Sequence, residues 1–225
     1  MSIRVVAGEI GAQGASTRVT LPTTNQPRWP PFERIAEVIA TPRRRFPLHQ
    51  HEGAEVMTYV IEGAGSYVAG SDPPRLIELG STQLLTAPTT ISHAINPEKG
   101  HTVRWFATMM GLPPGQGAKP QLQFGHSTET GPQPDGTAVR HLVGPGSDLR
   151  SAVGLEAEAI RFLSEGTSFR RVGHDFLAIC YALAGRGLVD NQPLEGGEAA
   201  FIEEVGGISV QGNPGFHLIF ARSPR

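Results

Sequence analysis

The chain of 225 residues carries one pattern twice. Tyr59, Gly63 and Gly65 recur as Tyr181, Gly185 and Gly187, a shift of 122 positions. Gly80, Ile91, Ser92, Asn96 and Pro97 recur as Gly197, Ile208, Ser209, Asn213 and Pro214, a shift of 117. The difference between the two shifts falls in a single turn, and each copy leads into a strand-like run that contains a histidine, His101 or His217. Self-similarity with shared spacing and residue type indicates a duplicated unit, so two similar halves are expected.

The repeated stretches say what each half is built from. Short runs rich in Val, Ile, Thr and Tyr alternate with Gly and Pro, and 28 Gly with 19 Pro favour many short strands over long helices. The class is therefore all-β. Strands are expected at 66–69, 76–79, 83–86 and 102–109, an antiparallel meander, while Ile35 to Ala40 reads as a strand or a short helix. Residues 8–32, rich in Gly, Thr and Pro, read as an irregular arm, and 111–136 as a linker. This predicts an N-terminal domain over 1–112, a linker over 113–137 and a C-terminal domain over 138–225.

Nineteen Lys and Arg against 21 Asp and Glu leave a formal charge of −2, too little to attract nucleic acid or an anionic membrane. The single cysteine, Cys180, permits no intramolecular disulfide, which suits a reducing compartment. No apolar run approaches the roughly 18 residues of a membrane span, and the first residues have no signal-like apolar stretch. A cytoplasmic protein is the expectation. Oligomeric state is not legible in the sequence.

Chemistry concentrates between Phe46 and Gly65. His49 and His51 stand two apart on an extended stretch, so their imidazoles share one face and can reach one point. Glu55 has the same parity and is a candidate carboxylate ligand or proton acceptor. Pro88 and His93 follow some 35 residues on. Under the first shift His49 corresponds to Arg171, His51 to Gly173 and Glu55 to Leu177, and under the second His93 corresponds to Val210, so the candidate ligands occupy the first half alone. His101, His126, His141, His174 and His217 match no ligand position. Arg43, Arg44 and Arg45 abut the histidine strand, where one of them facing the site would hold an anionic group bidentately.

The sequence Phe46-Pro-x-His49-x-His51-x-Gly53-x-Glu55-x-x-Thr58-Tyr59-x-x-Glu62-Gly63, together with Gly80-x-x-Gln83-x-x-Thr86-Ala87-x-x-x-Ile91-x-His93-Ala94, resembles the pirin family of bicupins. The likeness is strong over residues 46–107 and weaker but collinear to Ser223. It implies two tandem cupin-type β-barrels of antiparallel jelly-roll form, with one divalent metal in the N-terminal barrel. Iron(II) is the first expectation, with Mn, Ni, Cu or Zn as alternatives. In that family the ligands match His49, His51 and His93, with a glutamate two residues after the last. Here that position is Ile95, which makes Glu55 the nearest replacement. Two functions follow from the resemblance: a metal-dependent dioxygenase of the quercetin 2,3-dioxygenase type acting on a small enolic or phenolic substrate, or a non-enzymatic, metal- or redox-responsive module that docks a protein partner.

Overall fold

The longest strand of the chain, Ala54–Ala69, takes part in two sheets, and this closes the N-terminal half on itself. The computed structural model describes residues 2–11, 16–23, 29–116 and 119–225. Among them all strands and no α-helix are found, hence none long and apolar enough to cross a membrane. In chain order the strands are β1 (Ser2–Ala7), β2 (Glu9–Gly11), β3 (Ser16–Leu21), β4 (Phe32–Ala40), β5 (His49–His51), β6 (Ala54–Ala69), β7 (Arg75–Glu78), β8 (Ser81–Ala87), β9 (Ile91–Pro97) and β10 (Val103–Gly111). They continue as β11 (Gln121–His126), β12 (Thr137–Val143), β13 (Glu156–Phe162), β14 (Gly166–Arg171), β15 (Phe176–Ala184), β16 (Arg186–Val189), β17 (Gln192–Glu195), β18 (Glu198–Glu203), β19 (Gly207–Gly212) and β20 (His217–Pro224).

Two compact units result. The N-terminal unit holds Glu9–His126 with Ser151–Val153, and the C-terminal unit holds Met1–Gly8, Ser127–Arg150 and Gly154–Arg225. In the N-terminal unit the main sheet runs β11-β8-β6-β10-β4-β3-β2. The first part of β6 lies in that sheet between β8 and β10, while its residues 64–67 pair with β7 and 65–69 with β9. The crossing point is Gly63, at φ +79°, where a Cβ would sit 1.9 Å from the Thr102 carbonyl oxygen. Gly185 marks the matching bend of the second copy, at φ +72°, with the Gly215 carbonyl oxygen 2.8 Å from where a Cβ would lie. The repeated glycine is thus a steric requirement of a strand that changes sheet.

The C-terminal unit has a six-stranded sheet, β1-β18-β15-β20-β13-β12, and a four-stranded sheet, β14-β19-β16-β17. Its core draws on both, with Ile160, Ala178, Cys180 and Leu218 from one and Val189, Leu194, Ile208 and Val210 from the other. Cys180 is fully buried there, a small apolar side chain whose thiol is pushed up by desolvation.

Two expectations change and a third is resolved. The arm expected to be irregular contains β2 and β3, paired with each other and with β4; residues 12–15 and 24–28 of it lie outside the described residues. The alternation Arg-Val-Thr-Leu at the end of β3 suits a strand, and its flanking Gly and Pro obscure it in the sequence. The stretch expected as linker contains β11, which pairs with β8 and lays Leu122 and Phe124 against the core; residues 117–118 lie outside the described residues. Ile35 to Ala40 is strand, within β4.

Candidate metal centre

β5 pairs antiparallel with β9 in the register His49↔His93 and His51↔Ile91. Alternation puts His49 and His51 on one face of β5, and the pairing brings His93 beside them. The His93 Nε2 lies 2.9 Å from the Nε2 of His51 and 2.9 Å from that of His49. These three are the one group among the described residues that could hold a metal ion, their ligand atoms all within 4.8 Å of one another. The second nitrogens fix the rings. His49 Nδ1 lies 3.0 Å from the Pro47 carbonyl oxygen, which can only accept, so Nδ1 carries the proton and Nε2 turns a lone pair inward. His93 Nδ1 is 2.8 Å from the hydroxyl of Tyr67, a buried side chain that can donate or accept and therefore serves either tautomer.

Burial, and then repulsion from its two neighbours, pushes His93 down to about 2; desolvation, then His49 and then Arg34, pushes His51 down to about 4; desolvation likewise lowers His49. The imidazoles are therefore neutral at pH 7, the form that ligates a cation. Three neutral nitrogen donors converging at one point suit a divalent ion, so the residues present fit the group that the histidine pattern implies.

A pH dependence follows for the metal-free protein. Below 6.5, the ordinary histidine value, the unfolded chain binds protons that the folded chain refuses, so stability is complete above that value and falls as the pH drops towards 4. Buried His93 alone contributes a slope of about 1.4 kcal/mol per pH unit. Urea unfolding of chelator-treated protein at three pH values between 7 and 5 reads this slope, and a flat profile would contradict it.

Glu55 stands apart from the three histidines. It is fully buried, and its carboxylate accepts from the Thr86 hydroxyl at 2.9 Å, the Ala152 backbone N–H at 2.8 Å and the Ser151 hydroxyl. The parity argument fails because β5 and β6 are separate strands. Glu52 and Gly53 break the pleat between them, Gly53 at φ +61°, so counting by twos from His51 no longer reports the face. Val56 and Thr58 of β6 face the histidines and Glu55 faces the other way. Glu55 is thus neither in the histidine group nor placed to accept a proton there; it ties the segment 151–153 to the sheet. Glu55→Gln is expected to cost about 1–3 kcal/mol of stability and to leave the metal Kd unchanged, as denaturant unfolding and metal titration of one sample will read.

The histidines open onto a cavity of about 320 Å³. Its wall is the inner face of β4, β10 and β6, and the strand registers set its layers. Val38, Trp105 and Val60 are cross-strand neighbours in the first, Ala36, Ala107 and Thr58 in the second, and Arg34, Met109 and Val56 in the third. The small middle layer is what leaves room. Phe46 packs edge-on against both His49 and Trp105, and Ile95, two residues beyond His93 on β9, completes an apolar wall. Gln83 extends the middle layer beside Thr58; it is buried, and neither of its amide atoms has a hydrogen-bond partner, the usual mark of a place for a buried water or ligand group. Among the described residues no Asp or Glu lines the cavity. The arginine that lines it is Arg34, which sequence reasoning missed, whereas Arg43, Arg44 and Arg45 are exposed and line no part of it. Only the alternation Arg34-x-Ala36-x-Val38 could have signalled Arg34, and it needed β4 to be assigned as a strand first.

The ladders also correct the correspondence between the halves. His93 pairs with His49 as Val210 pairs with Ser168, and His51 faces Ile91 as Arg170 faces Ile208. The counterparts of His49 and His51 are therefore Ser168 and Arg170 instead of Arg171 and Gly173. Ser168 donates to Asp135 at 2.5 Å, and Arg170 lies 3.3 Å from Glu158. Through the pairings β13–β20 and β15–β20, the counterparts of Ala36, Ala107 and Thr58 are Glu158, Phe220 and Cys180. A ring and an ion pair thus stand in the layer that small side chains form in the N-terminal unit.

Two curled β-units in tandem, one with three convergent histidines in its mouth, define a bicupin. No family model matches the chain. It is 28% identical over 97 residues, 43% of its length, to the putative quercetin 2,3-dioxygenase PM1685 of Pasteurella multocida (strain Pm70), and 33% identical over 86 residues, 38% of its length, to Pirin-like protein 2 of Arabidopsis thaliana. The matched segments span 41% and 27% of those two proteins. Its fold is similar to that of the bacterial pirin YhhW of Escherichia coli, solved in complex with nickel(II), with a TM-score of 0.82, 17% identity and 99% of each chain covered. The chain therefore has the bicupin fold and is similar to pirin-like proteins.

Proposed function

We propose that the N-terminal unit binds one divalent metal through His49, His51 and His93, and that it is a dioxygenase of the quercetin 2,3-dioxygenase type acting on a small planar enol or phenol. The observation that carries this reading is the arrangement of three neutral imidazoles, the His93 Nε2 2.9 Å from that of each of the other two, at one end of an apolar cavity of about 320 Å³. That volume is at the small end of the range for ligand sites. Iron(II) is the metal first expected; the nickel(II) of the Escherichia coli pirin keeps nickel in view. When bound, a divalent ion with three protein ligands supplies Lewis acidity and free coordination positions for oxygen atoms.

The chain's own residues prepare the rest. Pro47 and Tyr67 hold the rings of His49 and His93 in place. Phe46, Trp105 and Ile95 exclude water and offer flat apolar contact to an aromatic ring. Among the described residues no carboxylate lines the cavity, so the substrate of this reading enters as its enolate or phenolate instead of being ionised by a carboxylate base there.

The test is anaerobic titration of Fe(II)-, Mn(II)- and Ni(II)-loaded protein with quercetin, followed by admission of oxygen. A metal-dependent spectral shift and then loss of quercetin, both absent in His93→Ala, are expected. Binding without a shift, or quercetin left intact at the rate of the variant, overturns the oxygenase reading in favour of a non-enzymatic module.

A further inference from the structure

Arg34 is an exposed residue and, among the described residues, the arginine that lines the cavity. It lies in β4 on the face that looks into the cavity, level with Met109 and Val56, both apolar. The acids flanking it in sequence belong to the opposite face of the strand: Glu37 pairs there with Arg104 at 2.9 Å. Among the described residues no carboxylate or carbonyl engages the Arg34 guanidinium. It lines the same cavity as His49, His51 and His93. A guanidinium is charged at any working pH, and an unpaired one at the rim of an apolar cavity creates a positive potential that no acidic side chain among the described lining residues answers. Three neutral ligands leave the full charge of a divalent ion at the other end, so both poles of the cavity attract anions.

Resting on the function proposed above, we infer that the substrate is a planar molecule with two anionic ends: an enolate or phenolate oxygen at the histidines, and a carboxylate held in a bidentate pair by Arg34 at the rim. The flat fork of Arg34 selects a carboxylate geometrically, and the apolar walls between the poles select the ring that joins the two ends.

The probes are 2-naphthol and 6-hydroxy-2-naphthoate, which differ only by a carboxylate at the far end of the ring from the hydroxyl, where it cannot chelate the metal together with that oxygen. Their Kd values are measured by calorimetry, without oxygen, on metal-loaded wild type, Arg34→Gln and Arg34→Lys, each checked for one metal per chain. In the wild type the carboxylate is expected to tighten binding about 10- to 100-fold, as a charge-assisted pair does. The gain should vanish in Arg34→Gln, return in part in Arg34→Lys, and shrink with added salt. If 2-naphthol binds but the carboxylate adds nothing, or if the gain survives in Arg34→Gln, the role of Arg34 is overturned while the metal-site reading stands. If neither compound binds the metal-loaded protein, both readings fall together.

Discussion

Replacing His93 by alanine is expected to remove metal binding outright, from one ion per chain in the wild type to none retained after dialysis. His93 is the hinge of the group: its Nε2 alone lies 2.9 Å from both of the other two, and its Nδ1 alone is tied to a buried hydroxyl, that of Tyr67. Two half-buried histidines remain in the variant, and two neutral donors on one short strand do not enclose a cation. Losing the partner of a ligand weakens metal affinity by about 10- to 100-fold, so losing the ligand itself should exceed that range. Elemental analysis of protein purified without chelator and without a histidine tag gives the stoichiometry, and His141→Ala in the C-terminal unit serves as the control that should change nothing. Two ions per chain in the wild type, or one in His93→Ala, would refute the assignment.

The second large effect is expected from Ala107→Phe. Ala107 is the centre of the small layer Ala36, Ala107 and Thr58, and its counterpart in the C-terminal unit is Phe220. The same backbone therefore already accommodates a ring at that position when its neighbours suit. In the N-terminal unit the ring would project into the cavity below the histidines and take the space of a substrate ring. Quercetin binding should become undetectable while metal stoichiometry stays at one per chain, at an overpacking cost of about 1–3 kcal/mol. Parallel metal analysis and quercetin titration separate the two effects. Retained quercetin affinity would place the ligand outside the cavity.

Much of this molecule is written in short-range patterns. The Tyr-x-x-x-Gly-x-Gly repeat follows from sterics within one strand, because a strand that leaves one sheet for another brings its glycine against a carbonyl of the next chain segment. His49 and His51 could be paired on one face without knowing the fold, since two residues on one strand obey the pleat wherever the strand lies. His93 was found through its resemblance to a known motif, and the ladder with β9 supplies the physical basis.

The tertiary structure decided whatever depended on pairing between distant segments. Glu55 was assigned to the site by counting through Gly53, and a single residue at positive φ ended that count. Arg34 lies in a stretch with no metal-ligand or motif signal; it belongs to the cavity because β4, β10 and β6 align Arg34 with Met109 and Val56. The different linings of the two units were equally out of reach, since Ala36, Ala107 and Thr58 are neighbours only across strands, and so are Glu158, Phe220 and Cys180. The period of two fixes which residues share a face of one strand, and it carries no information about which strand will lie alongside. Ligand pairs on a single strand are therefore legible in the sequence, whereas the shape and charge of a cavity arise only when registers between remote strands are set.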